Sequence, residues 1–174
     1  PHQLILSNNI NKTVEDYDIL VFAIPSAFLT SELKKLTTSL TDKVVFSAIK
    51  GIVPESGLIV GEHFFKNYNT PYNNIGVITG PCHAEEVAME RLSYLTIACQ
   101  DQDQAKKVGE CLKSRYIRVK ISDDIIGTEY AAMLKNIFSI AAGISHGLGY
   151  GDNFQSVLMS NSIREMKRFI KKVH

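Results

Sequence analysis

The sequence predicts an α/β segment followed by an all-helical one, and three observations carry that prediction. Residues 19–24 and 43–49 are short, β-rich apolar runs with a helical pattern between them, the order of a parallel crossover unit. Further strand and helix patterns alternate as far as Ser122, and beyond it no strand pattern recurs. Residues 124–153 then read as one long helix running into a glycine-rich turn, with Ile126, Tyr130, Met133, Ile137, Ile140 and Ile144 at the three- and four-residue steps of a buried helical face.

Taken in order, Leu4-Ile5-Leu6 is a short apolar run that suits a strand, residues 8–11 suit a turn, and residues 13–18 suit a short polar helical link. Residues 19–24 are continuously apolar, as expected of a strand buried on both faces of a parallel sheet. Pro25-Ser26 stops it, and residues 28–40 carry helical spacing at Leu29, Leu33 and Leu36. The next strand, residues 43–49, has Lys50-Gly51 at its carboxyl end. Ligands of open α/β sheets bind outside the carboxyl ends of strands, so Pro25-Ser26 and Lys50-Gly51 are expected along one edge. Residues 57–65 suit a helix and residues 66–74 a loop. Residues 75–78 make a strand that runs into Thr79-Gly80-Pro81-Cys82-His83-Ala84, residues 85–90 begin like a helical turn, and residues 92–98 form another strand. Residues 101–114 are an amphipathic helix with Ala105, Val108 and Leu112 inward. Residues 116–121 alternate with period two, the pattern of an edge or mixed-sheet strand. The long helix has Asp123 or Asp124 to cap its start and Gly147, Gly149 and Gly151 to end it. The last helix, residues 154–174, carries Val157, Leu158, Ile163, Met166, Phe169, Ile170 and Val173 on one side and closes on Arg168, Lys171, Lys172 and His174.

Composition narrows the function classes. The chain has 174 residues, 45% of them apolar, which is enough for a real core. A net charge of +1 points to neither a nucleic-acid nor an acidic-membrane partner. No apolar run approaches the ~20 residues of a membrane span. The opening residues Pro1-His2-Gln3 carry no leader pattern. Cys82, Cys99 and Cys111 are odd in number and lack metal-ligand spacing, so reduced thiols in a cytoplasmic protein without a metal are expected.

Three elements then converge on chemistry: Lys50-Gly51, the segment Gly80-Pro81-Cys82-His83-Ala84, and Lys135-Asn136 within the long helix. On composition alone Lys135 is an ordinary lysine reaching solvent from a mixed face. Its helical neighbours Thr128, Ala131, Ser139 and Ala142 are small, so a ligand has room to approach the ammonium. Lys50 by itself reads as a strand-end lysine, His83 as a turn residue, His146 as a helix-end cation and Asp152-Asn153 as a turn.

Together these segments resemble the bacterial type of NAD(P)-dependent glycerol-3-phosphate dehydrogenase. That family carries a strand-end K-G, a G-P-[SN]-x-A segment, and a helix G-x-E-x-x-x-x-x-K-N leading to G-L-G-x-G-[DA]-N. Here they stand as Lys50-Gly51, Gly80-Pro81-Cys82-His83-Ala84, Gly127-Thr128-Glu129 with Lys135-Asn136, and Gly147-Leu148-Gly149-Tyr150-Gly151-Asp152-Asn153, in the family's order. The resemblance implies a partial Rossmann-like NAD(P)-binding domain over residues 1–122, without the amino-terminal glycine-rich loop, and a partial helical substrate and catalytic domain over residues 123–174. It implies reversible reduction of dihydroxyacetone phosphate to glycerol 3-phosphate by hydride transfer, feeding glycerophospholipid synthesis, in a cytoplasmic homodimer. Lys135 would be the general acid/base, desolvated beside apolar groups and a second cation. Lys50 would be that cation, touching both substrate and cofactor. Gly80, Cys82 and Asn136 would line the substrate, and Phe28 and Ala84 the cofactor. Cys82 stands where the family has serine or asparagine, and a thiol is a weaker donor. Neither a G-x-G-x-x-G loop nor the family's later R-N phosphate grip occurs in these residues, so an inactive central piece of a longer enzyme is expected. Two other readings fit the same residues: another NAD(P)-dependent hydroxy-acid or ketone reductase of this architecture, and a non-catalytic helical module that self-associates.

Overall fold

The computed structural model describes residues 4–173. A mixed five-stranded sheet runs in the order β1 (Ile19–Phe22), β2 (Val44–Ser47), β3 (Ile75–Thr79), β4 (Ser93–Cys99), β5 (Ile117–Ser122). The first three strands are parallel, with Val21 opposite Phe46 and Phe46 opposite Gly76. β4 runs antiparallel to β3 and parallel to β5.

The helices follow from local sequence. α1 (Ile10–Asp16) starts at Asn9, whose side-chain oxygen accepts from the Asn11 and Lys12 N–H groups. α2 (Ser26–Leu33) begins directly after Pro25, whose fixed φ precedes a helix well. It stops near Leu33 rather than continuing to residue 40, because the Asn11 carboxamide oxygen takes the Thr37 and Thr38 N–H groups. A helix would have used those donors internally. α3 (Val60–Tyr68) closes on Asn69 in the left-handed conformation. It reaches further than the sequence suggests, and a 3-10 turn (Tyr72–Asn74) leads from it into β3. α4 (Ala84–Ala88) is a single short piece. α5 (Gln102–Leu112) is capped by Asp101 through the Asp103 and Gln104 N–H groups.

β2 is the strand buried on both faces. Val45 joins a core with Leu29, Leu33, Val60 and Phe64, while Val44 and Phe46 pack on Ala105 and Val108 of α5. β1 does not fit that description. Leu20 is buried, but Ile19 and Val21 are exposed and line an open apolar groove beside Val108, Cys111 and Leu112. β1 has a strand on one side only, and α5 covers the middle of the sheet rather than this edge. β5, at the opposite edge, alternates as its sequence pattern predicts. Leu4, Ile5 and Leu6 are exposed and form no strand, since no neighbouring strand meets them.

α6 (Ile125–Gly147) is capped by Asp124, which accepts from the Gly127 N–H at 2.7 Å. Its first half docks on the sheet through Ile125, which packs with Val77 of β3 and Ala98 of β4. α7 (Asp152–Val173) folds back antiparallel to it. Gln155 donates to the Ala142 carbonyl near the turn, and Phe169 meets the Tyr130 ring edge-on at the far end. Of the expected buried stripe on α6 only Tyr130 is buried; Ile126 and Met133 are half-buried, and Ile125, Ala132 and Leu134 make the buried face of the first half instead. Ile137, Ile140 and Ile144 are exposed, as are Val157, Ile163 and Val173 of α7. Beyond the sheet the two helices have only each other among the described residues, and one helix cannot cover two apolar sides of another. His174 lies outside the described residues. Among the described residues no helix is long and apolar enough to cross a membrane.

Candidate active site

Because β1, β2 and β3 are parallel, their carboxyl ends open on one edge. The chain leaving β1 turns at Pro25 into α2 and sets Phe28, largely exposed, in the first turn. The chain leaving β2 is steadied by Ser47, whose Oγ accepts from the Ile49 N–H, and then presents Lys50 to solvent. Ser26 Oγ lies 3.6 Å from where a β-carbon on Gly51 would stand, so the two strand-end segments lie side by side as expected.

The chain leaving β3 makes the tightest turn. Gly80 has φ of +149°, and a β-carbon there would fall 2.1 Å from the Tyr94 carbonyl oxygen. Only glycine fits. The Tyr94 N–H in turn donates to the Pro81 carbonyl, tying the turn to β4. Cys82 follows as a half-buried free thiol, and Ala84 opens α4, exposed. Phe28, Lys50, Gly80, Cys82 and Ala84 therefore share the strand-end edge.

Lys135 and Asn136 stand on α6, on the exposed turn after the buried Leu134. Among the described residues neither the Lys50 nor the Lys135 ammonium has a hydrogen-bond or ion-pair partner, and none links Lys135 or Asn136 to the strand-end edge. Solvent reaches both ammonium groups, contrary to the expectation of a desolvated Lys135. This part of α6 has left the sheet and, among the described residues, packs against α7. The arrangement offers two free cations, an amide and exposed backbone at a glycine turn, a set suited to an anionic ligand and to charge that develops on an oxygen.

One residue gains a place that sequence reasoning quoted without a role. Glu129 is 5% exposed, and its carboxylate accepts from the Gly61 N–H in the first turn of α3, at 3.0 Å to Oε2 and 3.3 Å to Oε1. Burial pushes its pKa up to about 7; the Gly61 and Val60 N–H groups oppose that shift, and the nearby Glu62 adds to it. The signal in the sequence is an acidic residue three after Ile126 and four before Met133, on the side of the helix that the apolar spacing marks. Beside it the Tyr72 hydroxyl is buried with no hydrogen-bond partner among the described residues, its pKa raised to about 12 by burial and then by the Glu129 charge.

Comparison with known proteins gives this geometry a family. The family model described as NAD-dependent glycerol-3-phosphate dehydrogenase N-terminus matches residues 1–105, and the corresponding C-terminus model matches residues 124–174. The chain is 38% identical over 170 residues to a glycerol-3-phosphate dehydrogenase [NAD(P)+] of an Exiguobacterium species, covering 97% of this chain and 50% of that protein. It is 36% identical over 170 residues to the enzyme of that name from Lysinibacillus sphaericus, with the same coverage. Among solved structures, the glycerol-3-phosphate dehydrogenase of Coxiella burnetii superposes with a TM-score of 0.80 at 27% identity, covering 94% of this chain and 50% of that one. The chain thus spans about half the length of the curated relatives it matches. With the α/β sheet, the helical segment behind it and two adjacent family models in agreement, the chain belongs to the NAD-dependent glycerol-3-phosphate dehydrogenase family.

Proposed function

We propose that the chain supplies the central half of an NAD(P)-dependent glycerol-3-phosphate dehydrogenase, which reversibly reduces dihydroxyacetone phosphate to glycerol 3-phosphate. The observation that carries this reading is the shared edge of three parallel strand ends bearing Lys50 and the Gly80 turn, followed in the same chain by a helix bearing Lys135-Asn136. Residues 1–122 act as the cofactor-binding part and residues 123–174 as the helical substrate part. NAD(P)H, when bound, supplies the hydride. The edge suits such a ligand: Phe28 offers an exposed ring face, and the Gly80 turn lets backbone come close. Lys135 Nζ gives a proton to the carbonyl oxygen as it becomes an alkoxide, and takes one back in the oxidation. Lys50 holds a positive charge beside that oxygen and the phosphate. Asn136 orients the substrate through its carboxamide, and Cys82 lines the pocket at the strand-end turn. The enzyme works in the cytoplasm and feeds glycerophospholipid synthesis.

The test is a chimera in which these residues replace the matching half of the Exiguobacterium relative. NADH oxidation that depends on dihydroxyacetone phosphate is expected. Replacing Lys135 with Ala in it should lower kcat by roughly 10²-fold or more. A Lys135→Ala chimera as active as its parent refutes the role of Lys135. A folded chimera that prefers unphosphorylated ketones or hydroxy acids favours a different reductase of this architecture.

The exposed Ile137, Ile140, Ile144 and Ile163 support a further reading, a homodimer that uses the outer side of α6 and α7. Sedimentation equilibrium checks it, and a chain that stays monomeric across the concentration range rules it out.

A further inference from the structure

Glu129 is the one carboxylate buried between the sheet domain and the helical segment among the described residues. It lies against the first turn of α3, where Gly61 has no β-carbon to keep it away. A β-carbon on Gly61 would stand 3.0 Å from Glu129 Oε2 and 3.4 Å from Ile75, so the close approach is built into both sides of the contact. The Gly61 N–H is one of the orphan donors of a helix start, and Glu129 is its acceptor. No ion pair reaches Glu129 among the described residues. The titratable groups around it are Glu62 on α3, Tyr72 after α3, Asp124 at the cap of α6, and Tyr130 on α6 itself. Lys66 is occupied with Glu62, at 3.5 Å. Among the described residues the contact is therefore polar, buried and without a compensating cation.

We propose that Glu129 is the positioning residue of α6: its carboxyl group, seated on the Gly61 N–H, fixes where the helix docks along α3 and so where Lys135 and Asn136 stand. Lys135 lies six positions after Glu129, roughly 9 Å along the helix axis, and α6 is continuous between them. Any slide or roll of the docked turn passes rigidly to the lysine. Ile125 alone, an apolar contact on Val77 and Ala98, has no directional preference to resist such a slide. The protonated carboxyl keeps its carbonyl oxygen for Gly61 and loses the cost of a buried charge, so the seat is tightest in acid and loosens as the proton leaves. The catalytic consequence rests on the reductase reading; the seat itself does not.

Amide hydrogen exchange on the chain tests the seat, with Glu129→Gln, which keeps the acceptor, and Glu129→Ala, which removes it. After correction for intrinsic exchange, Gly61 and the first three turns of α6 should lose protection as pH rises through neutrality in the parent. They should hold it without pH dependence in Glu129→Gln. In Glu129→Ala, Gly61 protection should fall by about tenfold or more at every pH, the loss of one buried hydrogen bond. Equal pH dependence in the parent and Glu129→Gln overturns the proposal, as does full Gly61 protection in Glu129→Ala. In the active chimera, Glu129→Ala should lower kcat by about tenfold or more with the KM for NADH unchanged, and Glu129→Gln should restore most of it. An unchanged kcat in Glu129→Ala overturns the positioning role. A parent chimera without activity refutes the reductase reading and leaves the exchange data to decide the seat.

Discussion

Raising the pH should destabilise this protein across a window that most proteins tolerate, and Glu129 is the reason. The perturbation is the pH alone. In the folded chain the Glu129 carboxyl holds its proton to about pH 7, against an ordinary value of 4.5, because burial opposes its charge. Between those two values the native state binds more protons than the unfolded chain, so stability falls as pH rises. It falls until the folded carboxyl has also ionised, and above about pH 7 this contribution is flat. The full span is worth roughly 3 kcal/mol at about 1.4 kcal/mol per pH unit. Between about pH 5.5 and pH 8.5 roughly 2 kcal/mol of it is lost, the rest having gone already below pH 5.5. With a urea slope of about 2 kcal/mol/M, the midpoint should drop by about 1 M. Burial also depresses the His63 pKa, which costs stability in acid and runs the opposite way. Urea melts of the parent and Glu129→Gln at both pH values separate the two, since His63 is common to both proteins. The difference between the two midpoints should change by about 1 M from one pH to the other, using the same slope. If that difference is the same at both pH values, Glu129 is not a raised, buried carboxyl and the reasoning fails.

Two further outcomes follow from backbone geometry. Gly80→Ala forces a side chain into a left-handed conformation and onto the Tyr94 carbonyl. It should cost about 1–3 kcal/mol in a denaturant melt and open the strand-end turn, with Cys82 reacting faster with a thiol reagent; a neutral effect would mean that the turn is loose. Asp101→Ala removes the acceptor for the Asp103 and Gln104 N–H groups at the start of α5. It should cost about 1 kcal/mol, and Asp101→Asn should restore most of it, in urea melts at neutral pH.

Much of the sheet was legible in the sequence because its signals are local. Period-two alternation in β5, the apolar run of β2 and the Asp101 cap on α5 each lie within a few residues of the chain. What was misread depends on partners distant in sequence. Residues 19–24 carry the same apolar composition whether a strand lies in the middle of a sheet or at its edge, and only the strand order decides that Ile19 and Val21 face open space. The end of α2 was set by Asn11, more than twenty residues earlier, whose carboxamide competes for the Thr37 and Thr38 N–H groups. No window of helical propensity over residues 28–40 contains that competitor.

The candidate site divides along the same line. Gly80 could be read as a turn glycine from its neighbours, and the structure supplies the reason, a carbonyl from the next strand in the space of its missing β-carbon. Lys135 stands in the sequence among small helical neighbours, but its surroundings are not legible there, because helical periodicity gives a face and not what covers it. The ten residues from Ile125 to Leu134 have the sheet and α3 against them, and the next ten have only α7. Glu129 shows the converse. An acidic residue on the buried stripe of an amphipathic helix is a conflict between pattern and chemistry that needs a partner somewhere. The sequence contains that conflict in full. It does not contain the partner, a backbone N–H exposed only because α3 begins at Val60 and residue 61 is glycine. A buried acid on a docked helix therefore marks where to look for a helix start on the other side, and here that search leads from the helix carrying Lys135 back to the domain carrying Lys50.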